Sequence, residues 1–158
     1  MVLRALIAFF ALPGVFGFLL PLLIASVDPF RTKGLTSGYV VIATGAIILL
    51  WCVRDFFVTG KGTLAPWDPP KRLVAVGLYC HVRNPMYLGV LVLVMGWALA
   101  AGSPAAAIYD AVLGVGFHIR VVVREEPWLS RQFTTQWTGY AAAVPRWLPR
   151  IKPWKSGA

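Results

Sequence analysis

The chain has 158 residues, 58% of them hydrophobic and 13% charged, with a mean hydropathy of +0.71. Soluble domains carry about 25% charged residues, and a soluble fold of this size could not hide so much apolar surface. The composition excludes a disordered chain, a secreted disulfide scaffold and a multidomain enzyme with a separate nucleotide-binding domain. A net charge of +9 comes from 15 Lys and Arg against 6 Asp and Glu, and the charges leave long uncharged stretches between them. That pattern indicates an integral membrane protein, and the placement of the bases suits a membrane topology rather than nucleic acid. Cys52 and Cys80 form no framework and no metal spacing, so both are expected to be free thiols.

Residues Ala5 to Val27 contain no charge and are long enough, at roughly 1.5 Å per residue, to cross a ~30 Å hydrocarbon core. The run exceeds the roughly 7–15 residues of a signal peptide and no clear A-x-A site follows, which favours a first transmembrane helix. Pro13, Gly14, Gly17 and Pro21 predict a kink and small-residue contacts within it. A polar link from Asp28 to Thr36 leads to a second uncharged run, Gly38 to Val53. Arg54 to Pro85 is expected to be a long loop, since Pro66, Pro69 and Pro70 forbid one continuous helix. A third run, Met86 to Ala101, turns at Gly102-Ser103-Pro104 into a fourth, Ala105 to Val123, and the two form a helical hairpin. The expected fold is therefore an all-α integral membrane domain. It has about four transmembrane helices and, after Pro127, a C-terminal interfacial amphipathic helix. Residues 1–158 form one domain: 1–58 the first two helices, 59–158 the loop, hairpin and tail.

The positive-inside rule orients this arrangement. With the N-terminus in the cytoplasm and all four runs spanning, thirteen Lys and Arg are cytoplasmic, and only Arg31 and Lys33 fall outside. Both termini, the long loop and the tail then share the cytoplasmic side of what is expected to be a bacterial inner membrane.

Two clusters there can carry chemistry. The first is Arg83-Asn84-Pro85-Met86-Tyr87-Leu88-Gly89, at the entry to the third run. Pro85 fits the first turn of a helix, Asn84 is a good N-cap, and Gly89 permits close approach of a backbone or ligand. A capped membrane helix with Arg83 at the headgroups and Tyr87 in the aromatic belt accounts for the same residues. The second cluster is Arg124-Glu125-Glu126-Pro127-Trp128-Leu129, which holds both glutamates of the chain. Neighbouring carboxylates repel unless they hold arginines, a helix end or a ligand. They face one site only if the helix breaks, a break Pro127 is expected to supply. Capping of the next helix by Glu126, with Glu125 paired to Arg124 or Arg120, is the competing account.

Leu129, Phe133, Trp137 and Tyr140 then recur at helical spacing, and Val144-Pro145-Arg146-Trp147-Leu148-Pro149-Arg150 follows, with Arg and Trp suited to anionic lipid. Inside the fourth run, Asp110, His118 and Arg120 interrupt an apolar helix. His118 and Glu125 share nearly one face and could line one pocket, whereas Asp110 is expected at the interface or in a structural pair. Gly60-Lys61-Gly62-Thr63 lacks phosphate-loop spacing, and Cys80-His81 is too short for a metal site, so no metal is expected.

Arg-x-Pro-x-Tyr-x-Gly before a membrane hairpin, then Glu-Glu-x-x-Leu after it, resembles the isoprenylcysteine carboxyl methyltransferase and phospholipid methyltransferase superfamily. Thr63-Leu64-Ala65-Pro66-Trp67-Asp68-Pro69-Pro70, Gly77-Leu78-Tyr79 and Arg83-Asn84-Pro85-Met86-Tyr87 are similar to its small bacterial members, as are Phe133, Tyr140 and Val144-Pro145-Arg146. The resemblance covers about residues 60–150. It implies an integral membrane enzyme that uses S-adenosylmethionine, held at the cytoplasmic face by Arg83, Asn84, Pro85, Tyr87, Gly89, Glu125 and Glu126. Glu125, Glu126 and Arg146 are the catalytic candidates, and His81, His118 and Tyr140 are candidates for the pocket lining. Two departures stand out: Asn84 where the family commonly has His, which removes an acid or base there, and Phe133-Thr134 in place of the usual Phe-Gly.

Arg83 suits the cofactor carboxylate, and Glu125 or Glu126 suits its amine or ribose hydroxyls. The absence of an obvious general base favours a carboxylate or an already neutral nucleophile as acceptor. The implied partners are a membrane lipid or other hydrophobic acceptor and the bilayer itself, with no nucleic acid and no obligate protein partner. The alternatives are an NADPH-dependent membrane sterol-type reductase, which the paired glutamates disfavour, and a non-enzymatic four-helix transporter or scaffold.

Overall fold

The structure is a computed structural model that describes residues 10–60 and 72–155, with side chains from residue 14 onward. Every regular element among these residues is helical. The 63–70 motif, Lys61, Lys71, Arg4 and the first residues of the Ala5–Val27 run lie outside the described residues.

The first run is a π-helical stretch, Phe10–Leu19, followed by α1, Leu20–Val27. Pro21 falls in the first turn of α1, where its missing N–H costs nothing. Gly17 is buried under Leu93 and Val90, the small-residue contact expected of it. Helix α2, Ser37–Asp55, continues as a π-helical turn, Phe56–Gly60. The long loop therefore starts later than Arg54, because Phe56, Phe57 and Val58 extend the apolar run and no proline interrupts it. Ser37–Gly60 is long and apolar enough to cross a membrane, with a mean hydropathy of 2.0.

Helices α3, Pro85–Ala101, and α4, Pro104–Arg120, form the predicted hairpin. Gly102 ends α3 in the left-handed region at φ 60°, and the Ser103 hydroxyl caps α4 by accepting from Ala106 N at 3.2 Å. Helices α2 and α3 pack antiparallel at very close range. A Cβ on Gly45 would lie 2.5 Å from Leu93 N, and one on Gly96 2.6 Å from Ile42 N. Gly45 and Gly96 thus let two backbones touch, the small-residue packing that replaces hydrophobic drive in a lipid solvent.

The expected break at Pro127 is absent. Helix α4 passes through a π-helical turn, Val121–Glu125, into α5, Glu126–Ala143, without leaving helical geometry. Glu126 N donates to Val121 O across the wide turn, so the ladder is already shifted by one residue where the proline lacks its N–H. The whole run, Pro104–Ala143, has 40 residues and is the second segment able to cross a membrane. At about 1.5 Å per residue the stretch up to Thr134 is roughly 45 Å long, longer than a ~30 Å hydrocarbon core.

The two halves face different surroundings. Ile108, Val112, Val115, Ile119 and Val123 form one exposed, purely apolar face at helical spacing on the first half. In a chain of this composition that face is lipid-facing. On α5, Leu129, Phe133, Trp137 and Tyr140 pack against Leu73, Ala75, Val144 and Trp154. The apolar face expected to rest on lipid is thus covered by protein. Helix α5 also kinks at Thr134, whose φ is 31° and ψ −100°.

The 28–36 link is fastened to the hairpin turn at one end of the bundle. Asp28 accepts from Ser103 Oγ at 2.5 Å and Ala105 N at 3.0 Å, and Thr32 N donates to Gly102 O at 2.8 Å. The clusters singled out in the sequence lie at the other end.

Candidate functional site

The entry to α3 is held by the C-terminal tail. Arg83 N donates to Pro145 O, Arg150 N to His81 O and Trp154 N to Cys80 O, each at 2.9 Å. The buried Tyr140 hydroxyl donates to Tyr79 O at 2.8 Å and fixes α5 against the same loop. Prolines at 145, 149 and 153 keep the tail out of helix and free its backbone for these cross-links.

Glu126, the first residue of α5, sits between Arg83 and Arg146. Arg83 Nη1 donates to its Oε1 at 2.7 Å; Arg146 donates Nε to Oε1 at 2.8 Å and Nη2 to Oε2 at 2.6 Å. The side chains of Arg83 and Glu126 are only 15% and 16% exposed, Arg146 32%. Hydrogen bonds to the carboxylate raise the already high pKa of Arg146, so it stays charged. Arg83 Cζ lies 5.9 Å from the Trp137 ring centroid, a cation–π contact, and its Nε is buried with no hydrogen-bond partner. Two cations on one carboxylate leave a net positive charge and an unused buried donor, an arrangement suited to a small anion.

Glu125 faces a separate group. It accepts from the Tyr87 hydroxyl and from Arg120 Nε at 2.7 Å, and the same Nε reaches Tyr87 Oη at 3.1 Å. The Tyr87 ring packs 4.4 Å from Phe117. Adjacent glutamates in one helical run thus serve two neighbouring groups, about 100° apart, with no break needed. Their repulsion is offset because each carboxylate has its own guanidinium.

The other predicted residues fall as follows. Asn84 occupies the N-cap position of α3 but its side chain makes no cap; Nδ2 donates instead to Arg146 O at 3.1 Å and holds the tail. Pro85 is buried as the first residue of α3. Gly89 is not brought to the cluster: a Cβ there would meet Ile48 and Leu49 of α2. His81 Nδ1 lies 2.8 Å from Arg150 O and must donate to it, because a carbonyl only accepts. His118 Nδ1 accepts the Trp147 indole N–H at 3.0 Å, so His118 faces the tail rather than a pocket shared with Glu125. Asp110 is buried, and among the described residues its Oδ1 has no hydrogen-bond partner. Cys52 and Cys80 are both free, and burial pushes the Cys80 thiol up. Among the described residues no group of three His, Cys, Asp or Glu could hold a metal.

The Arg120–Glu125 pair is the one the competing account names, and its five-residue separation matches one wide helical turn. The sequence places Trp137 only on a helical stripe and Trp147 only at a lipid surface, and it carries no signal for the Trp137 contact with Arg83 or the Trp147 bond to His118.

The family model for PEMT, phospholipid methyltransferase, matches residues 34–136, well over half of the chain. The chain belongs to the phospholipid methyltransferase family. It is also 33% identical over 80 residues to protein-S-isoprenylcysteine O-methyltransferase B of Arabidopsis thaliana, a stretch covering 51% of this chain and 41% of that protein. The chain thus spans well under two thirds of that relative's length. No solved structure matches. The family match includes Arg83, Tyr87, Glu125 and Glu126. It ends before Arg146 and the tail that closes on Glu126.

Proposed function

We propose that this member of the phospholipid methyltransferase family is an integral membrane enzyme. It transfers a methyl group from S-adenosylmethionine to a lipid-like or prenylated acceptor. The observation that carries the reading is the Arg83–Glu126–Arg146 cluster, with its excess guanidinium charge and its buried, unpartnered Arg83 Nε. The family match supports methyl transfer and lends nothing to the reductase or the transporter and scaffold readings.

The donor set fits the cofactor. Arg83 and Arg146 suit its carboxylate, and Glu126 or Glu125 suits its amine or ribose hydroxyls. When bound, the cofactor supplies a methyl group already activated on sulfur. The chain's own residues then need only bind, orient and exclude water so that the acceptor lies in line. Tyr87 and Arg120 keep Glu125 in one orientation, while Asn84 and the tail backbone hold Arg146 over the site. His118 cannot offer Nδ1 as a base while it accepts from Trp147, and the Asn84 amide is neither an acid nor a base. A carboxylate acceptor, which needs no base, is therefore the favoured class. The Arabidopsis relative is named for O-methylation of a protein S-isoprenylcysteine, in line with that choice. We place the site at the cytoplasmic face of a bacterial inner membrane, with both termini on that side, on the asymmetry of Lys and Arg.

The test is methyl transfer from labelled cofactor by the purified protein in lipid nanodiscs. One sample receives a prenylated cysteine analogue, and a second an amine-headed phospholipid. Alkali-labile label in the first identifies a methyl ester, and stable label in the second identifies N-methylation. A folded protein that labels no lipid-like acceptor overturns the proposal.

A further inference from the structure

We infer that the 144–155 tail docks on an anionic lipid surface, inserting Leu148 and Ile151, and that this docking fastens Arg146 onto Glu126. The inference is independent of whether the site transfers methyl groups.

Leu148 is 80% exposed and Ile151 96%, the two most exposed large apolar side chains among the described residues. Neither sits on a loose strand. The backbone bonds from Arg83, Arg150 and Trp154 tie the tail to the 80–83 loop, immediately before α3 begins. That position is the height of a helix end, where a bilayer surface lies. Trp147, next to Leu148, bonds to His118 near the C-terminal end of α4, beside the exposed Ile119. The tail at Leu148 is thus tied to the end of the exposed apolar face of α4.

The charge around these two side chains has one sign. Lys152 and Lys155 are exposed beside them, and Arg72, Arg124 and Arg131 are exposed at the same end. The carboxylates described there are paired: Glu125 with Arg120, Glu126 with Arg83 and Arg146, Asp55 with Arg54. Two bare apolar side chains framed by cations fit the headgroup region of an anionic leaflet, where each basic residue tightens binding roughly fivefold. An acidic soluble partner would match the cations but would leave Leu148 and Ile151 without an apolar medium. Because Arg146 and Trp147 belong to the docked segment, whatever holds the tail also holds their bonds to Glu126 and His118. By reciprocity, losing those bonds must loosen the docking.

The experiment is limited trypsin digestion of the full chain in nanodiscs of phosphatidylcholine alone or with added phosphatidylglycerol. Cleavage after Arg150 is read against cleavage after the exposed Arg31 and Lys33 at the opposite end. The anionic lipid is expected to slow the Arg150 cut about tenfold relative to those controls. Leu148→Ser with Ile151→Ser, and separately Lys152→Gln with Lys155→Gln, should each abolish most of the slowing. Equal cleavage in the two lipids, or a slowing that survives both pairs of substitutions, overturns the docking. Glu126→Gln should speed the Arg150 cut in anionic discs, and so should Trp147→Phe, which removes the indole donor without altering the ion pairs. If both folded variants are cut at the parent rate, the link between docking and site is overturned.

Discussion

Arg146 grips Glu126 through two nitrogens, Nε at 2.8 Å and Nη2 at 2.6 Å, joining residues twenty apart in sequence. The pair closes the tail onto the first residue of α5. It also places a second guanidinium beside Arg83 without repulsion, since the carboxylate lies between the two.

That arrangement makes Glu126 the residue whose removal costs most. Glu126→Gln leaves Arg83 and Arg146 facing one another with no counter-charge. The expected destabilisation is about 2–3 kcal/mol, below the cost of breaking a fully buried pair because Arg146 is a third exposed. Thermal melting in detergent checks it. Adding Arg146→Gln to Glu126→Gln should restore part of the loss, since the double variant removes the uncompensated cation.

Thr134 carries the positive φ of α5, a conformation that disfavours a β-branched residue. Thr134→Gly should raise stability by about 1 kcal/mol, read as a higher melting temperature. A lower melting temperature would show that the Thr side chain contributes more than its backbone conformation costs.

The helices were legible because apolar runs and turn residues act locally: Gly102-Ser103-Pro104 specifies its hairpin wherever the rest of the chain goes. The clusters at the entry to α3 and the start of α5 were legible as composition, and Arg83, Tyr87, Glu125 and Glu126 do converge at one end. Pro127 was misread because a π-helical turn, which no single residue announces, absorbs its missing N–H. Asn84 has the right residue type for a cap, yet its amide is drawn to Arg146 O, a partner 62 residues away. Gly89 could serve a ligand or a helix equally well in sequence, and only the approach of α2 decides between them. Thr134 stands where the resemblance leads one to expect the Gly of Phe-Gly, and its φ of 31° is one that glycine adopts without strain, which the sequence alone does not show.

The α2–α3 contact depends on the glycines that line it. Gly45→Leu should destabilise by about 2–3 kcal/mol or prevent folding, because the added side chain meets the Leu93 backbone rather than a movable side chain. Gly116→Ala on α4 meets nothing within 4 Å and should be neutral or stabilising by up to about 1 kcal/mol. Parallel melting curves distinguish the two.

At the opposite end, the Ser103 hydroxyl donating to Asp28, with Ala105 N–H behind it, holds the Asp28 carboxyl below its usual 3.8. A carboxyl depressed in the folded state stabilises the fold above its unfolded pKa and loses that contribution as pH falls through the folded value. The melting temperature of the parent protein should therefore drop on acidification below 3.8. Asp28→Asn should start lower and flatten that part of the profile. An identical acid slope in the variant would assign the loss to another group.

The central claim is that the Arg83–Glu126–Arg146 cluster holds S-adenosylmethionine. Calorimetric titration of the cofactor and its demethylated product into the purified protein, beside Arg83→Gln and Glu126→Ala, tests it most directly. Saturable binding of both ligands, weakened at least about tenfold in each folded variant, is the predicted result, equivalent to the roughly 1.4 kcal/mol of one charge-assisted hydrogen bond. Absence of binding by the folded parent protein, or binding untouched by both substitutions, would contradict the account.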